Sequence, residues 1–236
     1  MRLDKFLAEV NIGTRSQVKA IIKKGLVTVN GAVAKQPEQK IDTQKDIITY
    51  NGQVYQYEQF VYYMLHKPAG VVTATKDNFS QTVMDLLDTE GKKNLFPVGR
   101  LDKDTEGLLL ITDDGALAHD LLSPAKHVDK TYLAYLEYEL TKENVEALEK
   151  GVDIGDEKPT LPAILEDVTK KYDVPAIYIT IREGRFHQIK RMLEAVGNKV
   201  TYLKRLSMGN LRLDETLALG EYRRLTSEEI EQLKRS

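Results

Sequence analysis

The sequence predicts an α+β protein in which a small helix–helix–hairpin unit precedes a larger domain with a mixed, largely antiparallel sheet flanked by helices. One observation is local: over the first 25 residues apolar side chains recur at helical spacing, and they then alternate, as in a strand, up to Asn30-Gly31. The other is the order of elements beyond residue 60, where predicted strands follow one another with few helical crossovers. We therefore predict two domains, residues 1–58 and 59–236.

Short local signals define the first predicted domain. Residues 3–7 and 18–22 carry apolar side chains at helical spacing, which predicts two short helices. Strands at 26–29 and 47–50 each run into an Asn-Gly pair, the strongest short signal of a hairpin. The segment 51–59 is polar and mixed in composition, so we interpret it as the linker to the second domain.

Strands and helices interleave in the second predicted domain. An apolar strand begins at Val61 and is stopped by Pro68 and Gly70. The remaining elements are predicted as strands near 108–112, 131–140, 161–168, 176–182, 199–206 and 210–213, and as helices near 82–88, 116–122, 141–150 (with Thr141 as N-cap) and 186–196, with a last helix opening at the capping box Thr226-x-x-Glu229.

The net charge of the chain is small, but its basic residues are concentrated in two stretches. The 34 basic and 36 acidic residues argue against a protein that coats nucleic acid without selection. Residues 1–35 hold seven basic and two acidic residues, and residues 181–206 hold the same numbers. Such stretches indicate directed contacts with phosphates, which salt would weaken. A solvated helix face would explain either stretch taken alone.

The composition also restricts the chemistry. The chain has no cysteine, which excludes disulfides, a thiolate nucleophile and cysteine-ligated metal centres. Its histidines share no spacing of a familiar metal site, so we expect no bound metal. The first ten residues alternate charged and apolar side chains, and no apolar run reaches the roughly 18–20 residues that span a bilayer. We therefore expect a cytoplasmic protein without membrane contact.

The candidate for chemistry is Asp102, which lies in the polar segment 97–107 directly before the apolar run Leu108–Ile111. A rigid strand can hold a loop carboxylate accurately. Asp, Lys, Thr and Gly are also ordinary turn residues, so from the residues alone a surface turn remains the more frequent explanation. We expect the neighbouring Asp104 to accept backbone hydrogen bonds within this loop.

Several segments resemble known families. RLDKFLAE, TRSQVKAIIKKG and VTVNG, within residues 2–31, resemble the S4 RNA-binding domain. Further along, GRLDKDTEGLLLITDDG is similar to the signature loop of the pseudouridine synthases of the ribosomal small-subunit type. HKPAGVV, KTYLA and REGRFHQIKRML match further segments of that family in the right order. Together the two resemblances cover nearly the whole chain.

The second resemblance implies that the protein converts uridine to pseudouridine, which needs no cofactor because nothing is oxidised or hydrolysed. It implies that Asp102 is the essential carboxylate, acting either as a nucleophile at ribose C1′ or as a base toward C2′. It also makes Arg185 the cation that pairs with Asp102, and Tyr132 the tyrosine that stacks on the base. Arg100 is the expected RNA contact beside a flipped-out nucleotide. A phosphate contact for Arg185 and simple core packing for Tyr132 are the competing explanations.

Further RNA contacts are expected from both basic stretches. In the S4 family the two helices present basic residues to structured RNA. The candidates are Arg2, Lys5, Arg15, Lys19 and Lys23 in the first stretch, and His187 and Gln188 in the second.

The resemblance also implies a partner. We expect a monomer that acts on 16S rRNA, free or in a small-subunit assembly intermediate, at uridine 516. A related enzyme for 23S rRNA and a non-catalytic S4-type assembly factor remain alternatives. A nucleoside hydrolase is disfavoured because no second carboxylate has a clear role.

Overall fold

A computed structural model describes residues 1–43, 45–57, 59–88 and 94–236 of the chain. The contacts between Cα atoms divide the chain into two compact units, Met1–Gln59 and Phe60–Ser236, which are called the first and the second unit. No helix among the described residues is long and apolar enough to cross a membrane.

The first unit consists of two helices and a four-stranded antiparallel sheet. Its elements are α1 (Leu3–Glu9), α2 (Arg15–Lys23), β1 (Val27–Val29), β2 (Ala32–Val33), β3 (Ile48–Tyr50) and β4 (Gln53–Tyr55), and its sheet order is β2-β1-β3-β4. Thr14 begins α2 with a capping box, in which its side chain accepts from Gln17 N. The predicted helices and hairpins are confirmed. The predicted linker 51–59 is wrong in part, because β4 lies within it and pairs with β3.

The second unit is built on a nine-stranded sheet. Its elements are β5 (Tyr62–Lys67), β6 (Phe96–Pro97), β7 (Glu106–Thr112), α3 (Gly115–Leu122), β8 (Lys130–Leu136), α4 (Lys142–Lys150), β9 (Ile164–Asp167), α5 (Thr169–Tyr172), β10 (Ala176–Ile181), α6 (Gln188–Ala195), β11 (Val200–Met208), β12 (Leu211–Arg212), β13 (Tyr222–Arg224) and α7 (Ser227–Lys234). The strand order is β13-β5-β7-β11-β8-β10-β9, with β6 beside β7 and β12 beside β11. Among the described strands, β7 and β11 form the one parallel pair, which confirms a mixed, largely antiparallel sheet.

The structure differs from the predicted elements mainly where these are short. Residues 83–86 form a 3-10 helix in place of the predicted helix 82–88, and β8 ends at Leu136 rather than at 140. The sequence pattern does not indicate β6, α5 or β13, because segments of two to four residues are too short to show a period. The predicted caps of α4 and α7, Thr141 and Thr226, are confirmed.

Strand β7 is anchored on both of its faces. Leu109 and Ile111 pack into one hydrophobic cluster, and Leu108 and Leu110 pack into another. At its start β7 also lies against the backbone of β11, since a Cβ atom on Gly107 would come within 2.2 Å of the carbonyl oxygen of the facing residue, 205. The polar segment that precedes β7 is therefore attached to a rigid support.

Candidate active site

The Asp102 loop, residues 98–105, connects β6 to β7 and is held by the side chain of Lys67. Lys67 is the last residue of β5, the neighbour of β7, and it is fully buried. Its Nζ donates to the carbonyl oxygens of Asp102 at 3.1 Å, Lys103 at 3.4 Å and Thr105 at 2.9 Å. Burial lowers the pKa of Lys67 to about 8, although nearby carboxylates act in the opposite direction. One buried lysine side chain thus fixes the backbone from Asp102 to Thr105, on the C-terminal side of the Asp102 side chain.

A second set of contacts fixes the same loop from the segment that follows β5. The Thr73 hydroxyl donates to Leu101 O at 2.8 Å and accepts from Leu101 N at 3.2 Å. Gly70 N donates to Lys103 O at 2.7 Å. With its backbone fixed in this way, the loop presents the Asp102 side chain, which is 26% exposed.

The carboxylate of Asp102 lies beside two side chains from the segment that enters α6. Lys190 Nζ is 3.3 Å from Oδ2, and His187 Nε2 is 3.6 Å from Oδ1. Lys190 also donates to both oxygens of Asp104, at 2.6 and 2.8 Å. Burial by itself would lower the pKa of Lys190, but the hydrogen bond to Asp104 and the charges of both carboxylates outweigh burial and raise it. Lys190 is therefore a cation that bridges two carboxylates.

The predicted pairing of Arg185 with Asp102 is not present in the structure. The Arg185 guanidinium donates to the Glu183 carboxylate at 3.0 Å and to the carbonyl oxygens of residues 158 and 159 at 2.6 and 2.8 Å. Because these acceptors engage Arg185 within the protein, Lys190 is the cation beside Asp102.

Two further predicted roles are corrected. The sequence predicts an RNA contact for Gln188, but this residue is 4% exposed and its amide is used inside the protein. It donates to Glu183 at 2.8 Å and accepts from Arg185 N at 3.0 Å, so it orders the segment before α6. Asp104 is predicted to accept backbone hydrogen bonds, whereas both its oxygens accept from Lys190.

Asp102 and Tyr132 line one cavity of the second unit, with a volume of about 670 Å³ and called the Asp102 cavity. Tyr132 lies on β8 and is 7% exposed. The cavity is also lined by the other site residues predicted in this unit, Arg100, Arg185, His187 and Gln188. Its volume falls in the range of sites that enclose a small molecule or a single nucleotide.

The predicted RNA contacts of the first unit lie on its surface. All five are exposed: Arg2, Lys5, Arg15, Lys19 and Lys23. Two of them already have a carboxylate partner in the structure, at 2.8 Å from Arg2 to Asp4 and at 3.5 Å from Lys5 to Glu9. The hydrogen bond from Arg2 keeps the pKa of Asp4 below its usual value.

Sequence reasoning missed Lys190 and Lys67 as site residues. Lys190 lies inside the REGRFHQIKRML segment, but its place beside Asp102 depends on α6 starting at Gln188. Lys67 lies in HKPAGVV, which by itself indicates only a turn. A lysine that ends an apolar strand is the signal that identifies it, since a buried ammonium group needs several acceptors.

The groups that meet in the cavity are a carboxylate, an ammonium group and a phenol. A carboxylate held in this way can attack an electrophilic carbon or remove a proton. Within the described ranges, no group of three or more His, Asp or Glu side chains is arranged to hold a metal ion.

Each of the two parts of the chain matches a known protein family. Residues 61–195 match the family described as RNA pseudouridylate synthase, and residues 1–48 match the S4 domain. The first match covers more than half of the chain and includes Asp102, Tyr132 and Lys190.

Individual relatives are similar over almost their full length. YtzG of Bacillus subtilis, named an uncharacterized RNA pseudouridine synthase, is 50% identical over 98% of this chain and 97% of its own length. The ribosomal small subunit pseudouridine synthase A of Escherichia coli is 42% identical over 98% of both proteins. A crystal structure of a pseudouridylate synthase is 40% identical, with a TM-score of 0.69 and 99% of both chains covered. The chain belongs to the family of RNA pseudouridylate synthases.

Proposed function

We propose that the protein converts uridine 516 of 16S rRNA to pseudouridine, with Asp102 as the catalytic carboxylate. The observation that carries the proposal is the placement of this carboxylate, which Lys67 fixes on a cavity shared with Tyr132, with Lys190 at 3.3 Å. Support for the small subunit comes from the relatives in Escherichia coli and Vibrio cholerae, whose names state that substrate.

The reaction breaks the bond between ribose C1′ and uracil N1, turns the base and joins C1′ to C5. Asp102 begins it either by attacking C1′ or by removing a proton from C2′, and both routes use the ionised carboxylate. The charge-assisted contact with Lys190 orients that carboxylate. His187, at 3.6 Å, lies on its other oxygen.

A uridine in folded RNA reaches Asp102 only after it leaves its stack, at a cost of a few kcal/mol. We assign Tyr132 to the flipped base, since its ring is part of the cavity wall and can stack on the uracil. Arg100 is exposed and lines the same cavity, which suits a contact with the RNA at the position that the nucleotide leaves.

Arg185 receives a positioning role in place of the pairing predicted for it. Its hydrogen bonds join the segment before α6 to residues 158 and 159, which precede β9. Gln188 supports the same segment because its side-chain amide donates to the Glu183 carboxylate. Through this arrangement Arg185 holds the segment that delivers His187 and Lys190 to Asp102.

We propose that residues 1–58 bind the RNA and that residues 59–236 carry out the reaction. The exposed basic residues of the first unit support phosphate contacts there. In the second unit, another cavity of about 580 Å³ is lined by Lys126, Arg182 and Arg235 among others, and Arg182 also lines the Asp102 cavity. Within the second unit, Arg182 is shared by the two cavities, and we propose that their basic side chains contact the RNA backbone. We also propose that a cytoplasmic monomer is the active form.

The test is to incubate the protein with unmodified 16S and 23S rRNA, naked and in assembly intermediates, and to map every new pseudouridine. The expected product is a single pseudouridine in 16S rRNA at position 516. A product confined to 23S rRNA would reject the small-subunit substrate. Tight binding to either RNA without any product would instead identify a non-catalytic assembly factor.

A further inference from the structure

Two buried cations of the Asp102 cavity have no part in the chemistry described so far. Arg205 on β11 is 2% exposed and Lys130 on β8 is 7% exposed, and both line the cavity. Arg205 pairs with Tyr132 across the two strands. Lys130 and Tyr132 are two residues apart on β8, so their side chains lie on the same face of the sheet. Both cations therefore lie next to the tyrosine that we assign to the base.

The protein itself satisfies these two cations only in part. Arg205 Nε donates to Leu108 O at 2.7 Å, but its Nη2 is buried without a hydrogen-bond partner among the described residues. Lys130 Nζ donates to Val128 O at 2.9 Å. Burial, and after it the positive charge of Arg205, lower the pKa of Lys130.

A buried cation with an unused donor is costly, and the cost falls when an anion or a strong acceptor arrives. The reaction itself produces such an anion. When the C1′–N1 bond breaks, its electron pair leaves with the base, and the negative charge of the uracil is shared between N1 and the carbonyl oxygens. Donors that are already in place where charge develops are the groups that speed a reaction most.

We propose that Arg205, with Lys130 beside it, donates to a carbonyl oxygen of the departing uracil and stabilises the base as an anion until C5 joins C1′. The inference rests on the proposed isomerisation. The step is balanced, since the electron pair of the broken bond leaves on the uracil and the anion supplies the pair that forms the C1′–C5 bond. Water then takes the C5 proton and supplies one to N1, so the product has the atoms and charge of the substrate. In the route through C2′, the proton that Asp102 removes returns to C2′.

The test compares two leaving bases in single-turnover reactions. Substrate RNAs carry uridine or 5-fluorouridine at the modified position, and the loss of that nucleoside is measured after digestion. Fluorine withdraws electrons and stabilises the detached base without help from the protein. We expect Arg205→Met to slow uridine cleavage about 100-fold and 5-fluorouridine cleavage no more than about 10-fold. Lys130→Met should show a smaller difference of the same sign, and Arg205→Lys should recover part of the rate.

The matched control is Arg182→Gln, since Arg182 lines the same cavity but is paired with Asp129 at 2.8 Å and is 47% exposed. This variant should slow both substrates by the same factor. The inference is overturned if Arg205→Met and Lys130→Met each lose the same factor in cleavage rate on both substrates, or if neither variant loses rate. The two cations would then be supports of the backbone. If Arg205→Met does not fold by circular dichroism, Lys130→Met and Arg205→Lys decide by the same criterion. A wild-type protein that converts no uridine rejects the proposed function, and the inference fails with it.

Discussion

Replacement of Lys67 by methionine tests how the Asp102 loop is held, because it keeps the buried volume and removes the ammonium group. The carbonyls of Asp102 and Lys103 retain backbone donors, Thr105 N at 3.1 Å and Gly70 N at 2.7 Å. The carbonyl of Thr105, a residue that is 1% exposed, loses its donor at 2.9 Å, and the partly buried carbonyl of Pro68 loses the same donor at 3.0 Å. One buried acceptor without a partner costs about 1–3 kcal/mol of unfolding free energy. Near neutral pH the net loss is smaller, since the variant no longer buries a charge.

The pH dependence of this loss has a definite sign. Burial lowers the pKa of Lys67 to about 8 in the folded protein, against an ordinary value of 10.5. Between these values the unfolded chain binds more protons than the folded protein, so wild-type stability rises by up to about 1.4 kcal/mol per pH unit. From about pH 7 to about pH 10 the gain is roughly 2–3 kcal/mol, and Lys67→Met lacks it. The stability difference between the two proteins therefore increases by this amount.

Urea unfolding followed by far-UV circular dichroism, at about pH 7 and about pH 10, measures the difference. Lys126→Met, at an exposed lysine, is the control, and its difference from wild type should not change with pH. If the difference between wild type and Lys67→Met stays constant or shrinks toward high pH, the account of Lys67 is refuted.

Three further predictions concern catalysis and RNA binding. Lys190→Gln should slow single-turnover pseudouridine formation about 100-fold and Arg185→Gln less than about 10-fold, because Lys190 contacts Asp102 and Arg185 does not. A larger loss of rate in Arg185→Gln than in Lys190→Gln would restore Arg185 as the catalytic cation. Tyr132→Ala should slow single-turnover pseudouridine formation at least about 10-fold, since stacking contributes about 1–3 kcal/mol per base, whereas Tyr132→Phe should retain most of the wild-type rate. Equal rates for Tyr132→Ala and Tyr132→Phe would reject stacking. Removal of residues 1–58 should weaken rRNA binding and reduce its salt dependence. The slope of log binding constant against log salt concentration should fall by about one unit for each phosphate that the first unit neutralises. Unchanged affinity in filter binding would contradict a role of the first unit in binding rRNA.

The elements that could be predicted from the sequence are those with strong local signals. The Asn-Gly pairs and the caps at Thr141 and Thr226 act within a few residues, so the hairpins and these helix starts follow from them. Strand β13 could not be predicted, because its three residues form a strand only by pairing with β5, some 160 residues earlier. The helix predicted over 82–88 is a 3-10 helix over 83–86 in the structure, and it ends where Leu87 takes an extended backbone conformation.

In the candidate site, too, some residues could be predicted from local sequence signals and others depend on contacts between distant parts of the chain. Asp102 and Tyr132 could be selected as candidate site residues because the segments around them resemble those of a known family, and in the structure both line one cavity. The segment 182–193 offers several cations, and residue order alone does not show which one reaches Asp102. The choice of Lys190 depends on the acceptors that capture Arg185, the carboxylate of Glu183 and the carbonyls of residues 158 and 159. Contacts so distant in sequence are a property of the folded chain.

Whether Asp102 is the catalytic carboxylate is tested by comparing Asp102→Ala with wild type and with the control Asp104→Asn on unmodified 16S rRNA. Asp104 is 71% exposed and shares Lys190 with Asp102, so its variant disturbs the same charges without removing the proposed catalytic group. We predict that Asp102→Ala binds the RNA within a few-fold of wild type and forms no pseudouridine, while Asp104→Asn retains activity. Pseudouridine formed by Asp102→Ala at a rate comparable to that of Asp104→Asn would contradict the assignment of Asp102 as the catalytic carboxylate.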